Sequence, residues 1–314
     1  MQMMMQRIRA LAWILSVALV GAIGCTHSGD TTNVAEAPPP KPKNAVEITR
    51  SIVNARVGVM VWAEKLHGHP VEARFLMLNP LRPMLEGTGI DVSRDVVAAY
   101  IASTGITTND VAVAIVQHKI EPTRLEMGLE TVMSRSVPRG EWIAGASVPS
   151  ARVTVKGQTR VVAIVDPEFF AVLPEGIASQ ATRFVGTGGF VDPVGPDVAV
   201  VTALDPSRSL SGANVPRIPP TIRSLEAHAW LASDGGLDVN AVGESSDPDQ
   251  ARADASVLTN NIDRATSINL GILRVRLFQQ VVFHPEGQQV KTHVHLTPAE
   301  IDRLASLAET FMPH

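Results

Sequence analysis

LEAHAWLASDGGLDVNAV, residues 225–242, decides the architecture. Leu225, Ala227, Ala229 and Leu231 fall at every second position, the period of a strand that buries one face. Asp234-Gly235-Gly236 then reverses the chain, and Leu237 to Val242 resumes as a second strand. A tight turn can join only antiparallel neighbours, since parallel ones need a long crossover. Directly after, Asp247-Pro248-Asp249-Gln250 reads as a helix start, and Ala251, Ala255, Leu258 and Ile262 lay one apolar stripe along the helix that follows. Paired antiparallel strands followed by a helix define an α+β chain.

The pattern extends in both directions. Toward the C-terminus, Leu277 to Phe283 and Val290 to Leu296 read as a hairpin across Pro285-Glu286-Gly287. Thr297-Pro298-Ala299-Glu300 caps a last helix whose Ile301, Leu304, Ala305, Ala308 and Phe311 share a face. Toward the N-terminus, Val97 to Ser103 and Val111 to His118 read as strands, and Pro122 opens a helix striped by Leu125, Leu129 and Val132. Val153 to Val155 and Arg160 to Val165 form a hairpin about Lys156-Gly157, and Asp166-Pro167 reads as the start of another helix. Strand, strand, helix, hairpin and helix thus occur twice, displaced by roughly 125 to 130 residues. The expectation is an α+β protein of two lobes, residues 45–195 and 196–314, each an antiparallel sheet with helices packed on one face; duplication and coincidence account for the repeated order equally well. Val57 to Ala63 adds a strand, Glu72 to Leu85 a helical region broken by Pro80 and Pro83, and Val198 to Leu204, apolar on both faces, a central strand. Glycine- and proline-rich stretches at 186–195 and 211–220 make the boundary between the lobes soft.

The first 24 residues have a different character. Arg7 and Arg9 precede Leu11 to Ile23, which is uncharged and, but for Ser16, apolar. Its 13 residues fall short of the roughly 20 a bilayer span requires. Ala22-Ile23-Gly24-Cys25, with the chain's one cysteine, resembles the lipobox of bacterial lipoproteins, although Ala22 stands where leucine is usual. The resemblance implies export, acylation of Cys25 with a fatty chain such as palmitate, and cleavage after Gly24. Thr26 follows the cysteine in place of the aspartate that often retains such proteins in the inner membrane, which favours the outer membrane. Residues 25–44 are polar and proline-rich, suited to a disordered tether.

Without residues 1–24 the chain carries 25 basic and 31 acidic residues, a formal net charge of −6. Its lysines and arginines are scattered, so the basic stripe of a nucleic-acid-binding protein is missing. With Cys25 acylated no intramolecular disulfide can form, and burial alone must hold the core.

Chemistry-bearing motifs are few. His293 and His295 alternate on one strand and can offer two imidazoles to one ion, so they are weak metal candidates; His67 and His69 form a similar loop pair. A closed site needs a third ligand, and polar side chains lying on a sheet face or loop in water are the simpler reading. No G-x-S-x-G elbow, S-x-x-K, H-E-x-x-H or Walker loop occurs. Gly186-Thr187-Gly188-Gly189 lacks the helix start that would hold a phosphate. Asp91 and Asp95, and Asp247 and Asp249, fit turns and helix caps. Trp62, Trp142, Trp230 and Tyr100 are too few for a sugar-stacking platform, and core packing is the expected role of Trp230.

Gly89-Ile90-Asp91 followed by Arg94-Asp95, together with the closing pattern of capped helix, hairpin and capped helix, resembles uncharacterised predicted lipoproteins of Gram-negative bacteria. The resemblance implies an envelope address and no activity. The leading expectation is a non-enzymatic, lipid-anchored envelope protein, attached to the membrane through Cys25, that binds a protein partner or scaffolds an assembly without cofactor. A carrier of lipid or another apolar ligand is the alternative, and a metal enzyme using His293 and His295 the third.

Overall fold

The computed structural model describes residues 44–311 except 78–84, 108–109, 156, 188, 191, 194, 213–215, 271–272 and 277–278. Cys25, the apolar run before it and all but the last residue of the tether lie outside these.

Asn44 starts the first helix, α1 (Ala45–Val53), by accepting the Glu47 N–H at 2.9 Å; Asn54, in the left-handed region at φ 49°, ends it. β1 (Val57–Val61) follows, then three short helices, α2 (Ala63–Leu66), α3 (Pro70–Met77) and α4 (Val92–Asp95). β2 (Val96–Ser103) and β3 (Ala112–His118) lead to α5 (Pro122–Arg135), whose buried Leu125, Leu129 and Val132 form the expected stripe. β4 (Glu141–Trp142), β5 (Ser150–Val155), β6 (Gln158–Asp166) and β7 (Phe169–Pro174) come next, then a 3₁₀ segment at Glu175–Phe184. The second half runs β8 (Asp197–Leu204), α6 (Pro206–Ser209), β9 (Ser224–Leu231), β10 (Leu237–Glu244) and α7 (Pro248–Ala265). It closes with the small hairpin β11 (Ser267–Leu270) and β12 (Leu273–Arg276), then β13 (His284–Glu286), β14 (Gln289–Leu296) and α8 (Pro298–Phe311). Among the described residues no helix is long and apolar enough to cross a membrane.

Twelve strands form one sheet, ordered β13-β14-β10-β9-β8-β1-β2-β3-β7-β6-β5-β4, with every neighbour antiparallel. The α+β class is as expected, but the two halves share this sheet instead of forming two. They meet where β1 pairs with β8, Val59 opposite Val201. Outward from that joint the order is β1-β2-β3-β7-β6 on one side and β8-β9-β10-β14-β13 on the other, the same sequence of connections in both halves. β4 and β5 extend the first half alone.

Two expected elements differ. Asp166-Pro167 starts no helix: the Asp166 carboxylate accepts the Glu168 N–H at 3.1 Å within a tight turn, and Phe169 to Leu173 alternates as a strand buried on both sides. The helical segment begins later, at Glu175. Likewise the hairpin partner of β14 is the short β13; of the expected strand Leu277 to Phe283, Leu277 and Phe278 lie outside the described residues, Val281 is buried and the Phe283 N–H donates to the Thr259 hydroxyl of α7.

One face of the sheet is covered along its length. α5 packs on β5 and β6, α7 on β14, and Ile301 and Leu304 of α8 with Val71 of α3 on β8, β9 and β10. The other face is covered only over the first half. There α1 and the 3₁₀ segment bury Met60, Tyr100, Val113, Ile115, Ala171 and Leu173. Both sheet edges are stubs, three residues with Pro285 at β13 and two exposed residues at β4.

Candidate functional site

A cavity of about 230 Å³ lies under α1, on the partly covered face and at the joint between the halves. Its roof comes from Val46 and Arg50, four residues apart and therefore on one side of α1. Its floor is a pleated patch: Gly58, Met60 and Trp62 alternate along and just beyond β1, with Tyr100 on β2 and Val200 on β8 both in register with Met60, and Thr202 on β8 in register with Gly58. Phe190, which meets Phe169 edge-to-face at 5.7 Å, forms another wall, and Asn44 completes the lining.

Gly58 makes this arrangement fit. A Cβ there would stand 2.4 Å from the Tyr100 hydroxyl and 2.7 Å from that of Thr202, so only glycine leaves both in place.

The lining is mostly apolar and its polar groups are distinctive. Trp62 is 7% exposed, and its indole N–H is buried with no hydrogen-bond partner among the described residues. Tyr100 is 4% exposed; burial pushes its phenol up to about 12, although the Arg50 charge works in the opposite sense. The Arg50 side chain is half-buried and has no hydrogen bond or ion pair within the described residues. Among the described residues no carboxylate lines the cavity.

The histidine pair lies elsewhere. Val290, Thr292 and Leu296 of β14 are buried under the helices, so His293 and His295 point to the open face, as alternation predicts. Each ring is engaged by oxygen atoms. His295 Nδ1 meets Asp238 and Nε2 meets Asp234, both at 3.0 Å; His293 Nδ1 meets Asn240 at 2.8 Å and Nε2 approaches Asp238 at 3.4 Å. Hydrogen bonding to Asp238, opposed by slight burial and reinforced by Asp234, raises the His295 pKa above 6.5. On the same face His228 lies 2.6 Å from Asp197 and 3.1 Å from Glu226; burial disfavours its charge, but the two carboxylates prevail and raise its pKa. Trp230 is not core: it is half-buried on this face and stacks on His293 with ring centroids 6.0 Å apart. Among the described residues no three His, Cys, Asp or Glu side chains are grouped to hold a metal ion. His67 faces Glu72 at 3.5 Å and His69 Nδ1 accepts the Val71 N–H; no described hydrogen bond or ion pair joins them to His293 or His295.

The acid pairs are structural, as their spacing suggests. Asp91 caps α4 and Asp247 caps α7. Asp95, 3% exposed, accepts from Arg124 at 2.6 Å, Arg94 at 3.1 Å and the Asp91 N–H at 2.8 Å. Burial opposes its charge, yet these donors hold its carboxyl below the usual range.

The sequence reading missed Arg50, Thr202 and Asn44 as site residues. A signal for α1 was present, since Asn44 precedes Glu47 by three residues ahead of an apolar stripe. Nothing local marks Thr202 as facing Gly58; that follows from pairing across 144 residues of sequence.

No family model matches the chain, and no curated protein matches it significantly. Solved structures do. The chain is similar to crystal form I of a protein designated TP0453, with 12% identity and a TM-score of 0.51 over 86% of this chain and 99% of that one. Crystal form III of the same protein gives 12%, 0.50, 82% and 96% respectively. At that identity the similarity concerns the fold alone.

Proposed function

We propose that this protein is a non-catalytic, lipid-anchored envelope protein that holds a small apolar ligand in the cavity beneath α1. One observation carries this reading: a mostly apolar cavity roofed by an arginine that has no ion-pair partner among the described residues, with the Tyr100 and Thr202 side chains in its floor. Ligand sites are mostly apolar concavities with a few convergent polar groups, and they favour junctions between structural units. This cavity sits at such a junction, where β1 meets β8. At about 230 Å³ it lies below the common range of roughly 300–1,000 Å³, which suits a short amphiphile or the end of an acyl chain.

The carrier reading therefore overtakes the scaffold reading, because a sequence without a ligand motif gives no sign of a cavity. The scaffold reading keeps one supporting observation, the half-buried Trp230 on the uncovered sheet face, and crosslinking through that position tests it. For the carrier, organic extraction of the purified full chain followed by mass spectrometry should release a stoichiometric small amphiphile. An empty extract together with no uptake of added amphiphiles refutes the reading. Attachment is tested separately: Cys25→Ser should move the protein from the membrane fraction to the soluble exported fraction, and persistence in membranes refutes an anchor at Cys25.

A further inference from the structure

We infer that the cavity ligand is an anion, a monocarboxylate with a short apolar body, whose head is bound by Arg50 with help from Tyr100 and Thr202. This rests on the binding role proposed above and adds the charge and polarity of what is bound.

The guanidinium of Arg50 can only donate. The Asn44 carbonyl oxygen accepts the Glu47 N–H as the α1 cap, and its NH₂ can donate. Tyr100 stays a neutral phenol across physiological pH, able to donate its hydroxyl hydrogen. Thr202 supplies a hydroxyl of either role. Among the described residues this lining presents several donors and no carboxylate. A neutral alcohol or amide would leave most of them unmatched, whereas a carboxylate has about four acceptor positions and no donor.

Charge points the same way. The chain is net negative, at −4, yet among the described residues the one formal charge on the cavity wall is the cation of Arg50. Glu47, the nearest acid along α1, is exposed and does not line the cavity. A half-buried guanidinium without a carboxylate partner is poorly compensated until an anion arrives, and its planar fork suits a carboxylate. Size limits the body of the ligand. At about 30 Å³ per group of water size, the cavity takes on the order of eight such groups.

The test compares octanoate with octan-1-ol, which share a chain and differ in the head, by titration calorimetry on the full-length chain. The Trp62 indole N–H resonance, assigned by Trp62→Phe, serves as a second readout. Octanoate should bind at least tenfold more tightly than the alcohol and shift that resonance. Arg50→Gln should weaken octanoate about 10- to 100-fold, as expected for loss of a charge-assisted contact, and leave the alcohol unchanged; Arg50→Lys should restore part of the loss. An unchanged thermal midpoint of ligand-free Arg50→Gln shows that its fold is intact; should it shift, Tyr100→Phe, expected to weaken octanoate alone, replaces it. Equal binding of acid and alcohol, indifferent to Arg50, overturns the anion assignment while leaving the cavity reading standing. Binding of neither overturns both.

Discussion

Gly58→Ala tests whether the packing at the joint is as close as described. The new Cβ would lie 2.4 Å from the Tyr100 hydroxyl oxygen and 2.7 Å from Thr202 Oγ1, where ordinary contact begins at 3.4 Å. Tyr100 must therefore retreat by about 1 Å, and it is 4% exposed within the core cluster that includes Met60, Ala98 and Ile115, so it has little room. Overpacking of this kind costs about 1–3 kcal/mol. Replacing glycine within a strand returns about 0.5–1 kcal/mol by restricting the unfolded chain. The net is a destabilisation of about 1–2 kcal/mol, seen as a lower urea midpoint at unchanged slope. Tyr100→Phe removes the nearer of the two oxygens and leaves Cζ at 3.3 Å, close to ordinary contact, with Thr202 Oγ1 still at 2.7 Å. In that background Gly58→Ala should cost about 1 kcal/mol less, a coupling within the range for touching residues. A stabilised Gly58→Ala protein, or an equal loss in both backgrounds, refutes the reasoning.

Further outcomes follow from the caps and charges. Asn44→Ala removes the α1 cap and should lower stability by about 1 kcal/mol in urea unfolding while weakening any cavity ligand. Asp95→Asn breaks a buried ion pair and should cost about 3 kcal/mol, the lower edge for such pairs, because Arg124 retains a third of its exposure; a loss under 1 kcal/mol contradicts the burial described. His228 and His295 have folded pKa values raised above 6.5, so their pairs stabilise fully below about pH 6.5 and the contribution fades as pH rises through the folded values. Asp238→Asn should flatten that decline in a pH series of unfolding midpoints. His118 behaves oppositely: burial, only partly countered by Asp95, lowers its pKa, so its neutral form favours folding above about pH 6.5 and stability falls as pH drops below it. His118→Gln should remove that acid-side fall, which the same pH series reads.

The fold was legible wherever one face is buried and the other wet. Leu225 to Leu231 and Leu237 to Val242 alternate because helices cover one side of them and water the other, and the period of two is plain in the letters. Asp166-Pro167 misled because Asp followed by Pro fits a helix start and a tight turn equally well. What followed, Phe169 to Leu173, is apolar on both faces and carries no period to choose between them. Union of the halves into one sheet was illegible for a different reason. The pairing of Val59 with Val201 joins residues 142 apart, and local pattern holds no record of that partner. The cavity inherits this limit, since Tyr100, Gly58 and Thr202 become neighbours only through β2, β1 and β8. The histidine pair was placed correctly on the open face, because alternation alone fixes that direction.

The stubby ends of the sheet have a consequence for crowding. An exposed strand edge is a template on which another polypeptide can zip itself, and the hazard grows with local concentration. Here one terminal strand is interrupted by Pro285, which lacks the hydrogen a recruited backbone would need, and the other runs only from Glu141 to Trp142. A twelve-strand ribbon that tapers to such blunt ends resists stacking into fibrils, and many copies can share a small area without fusing.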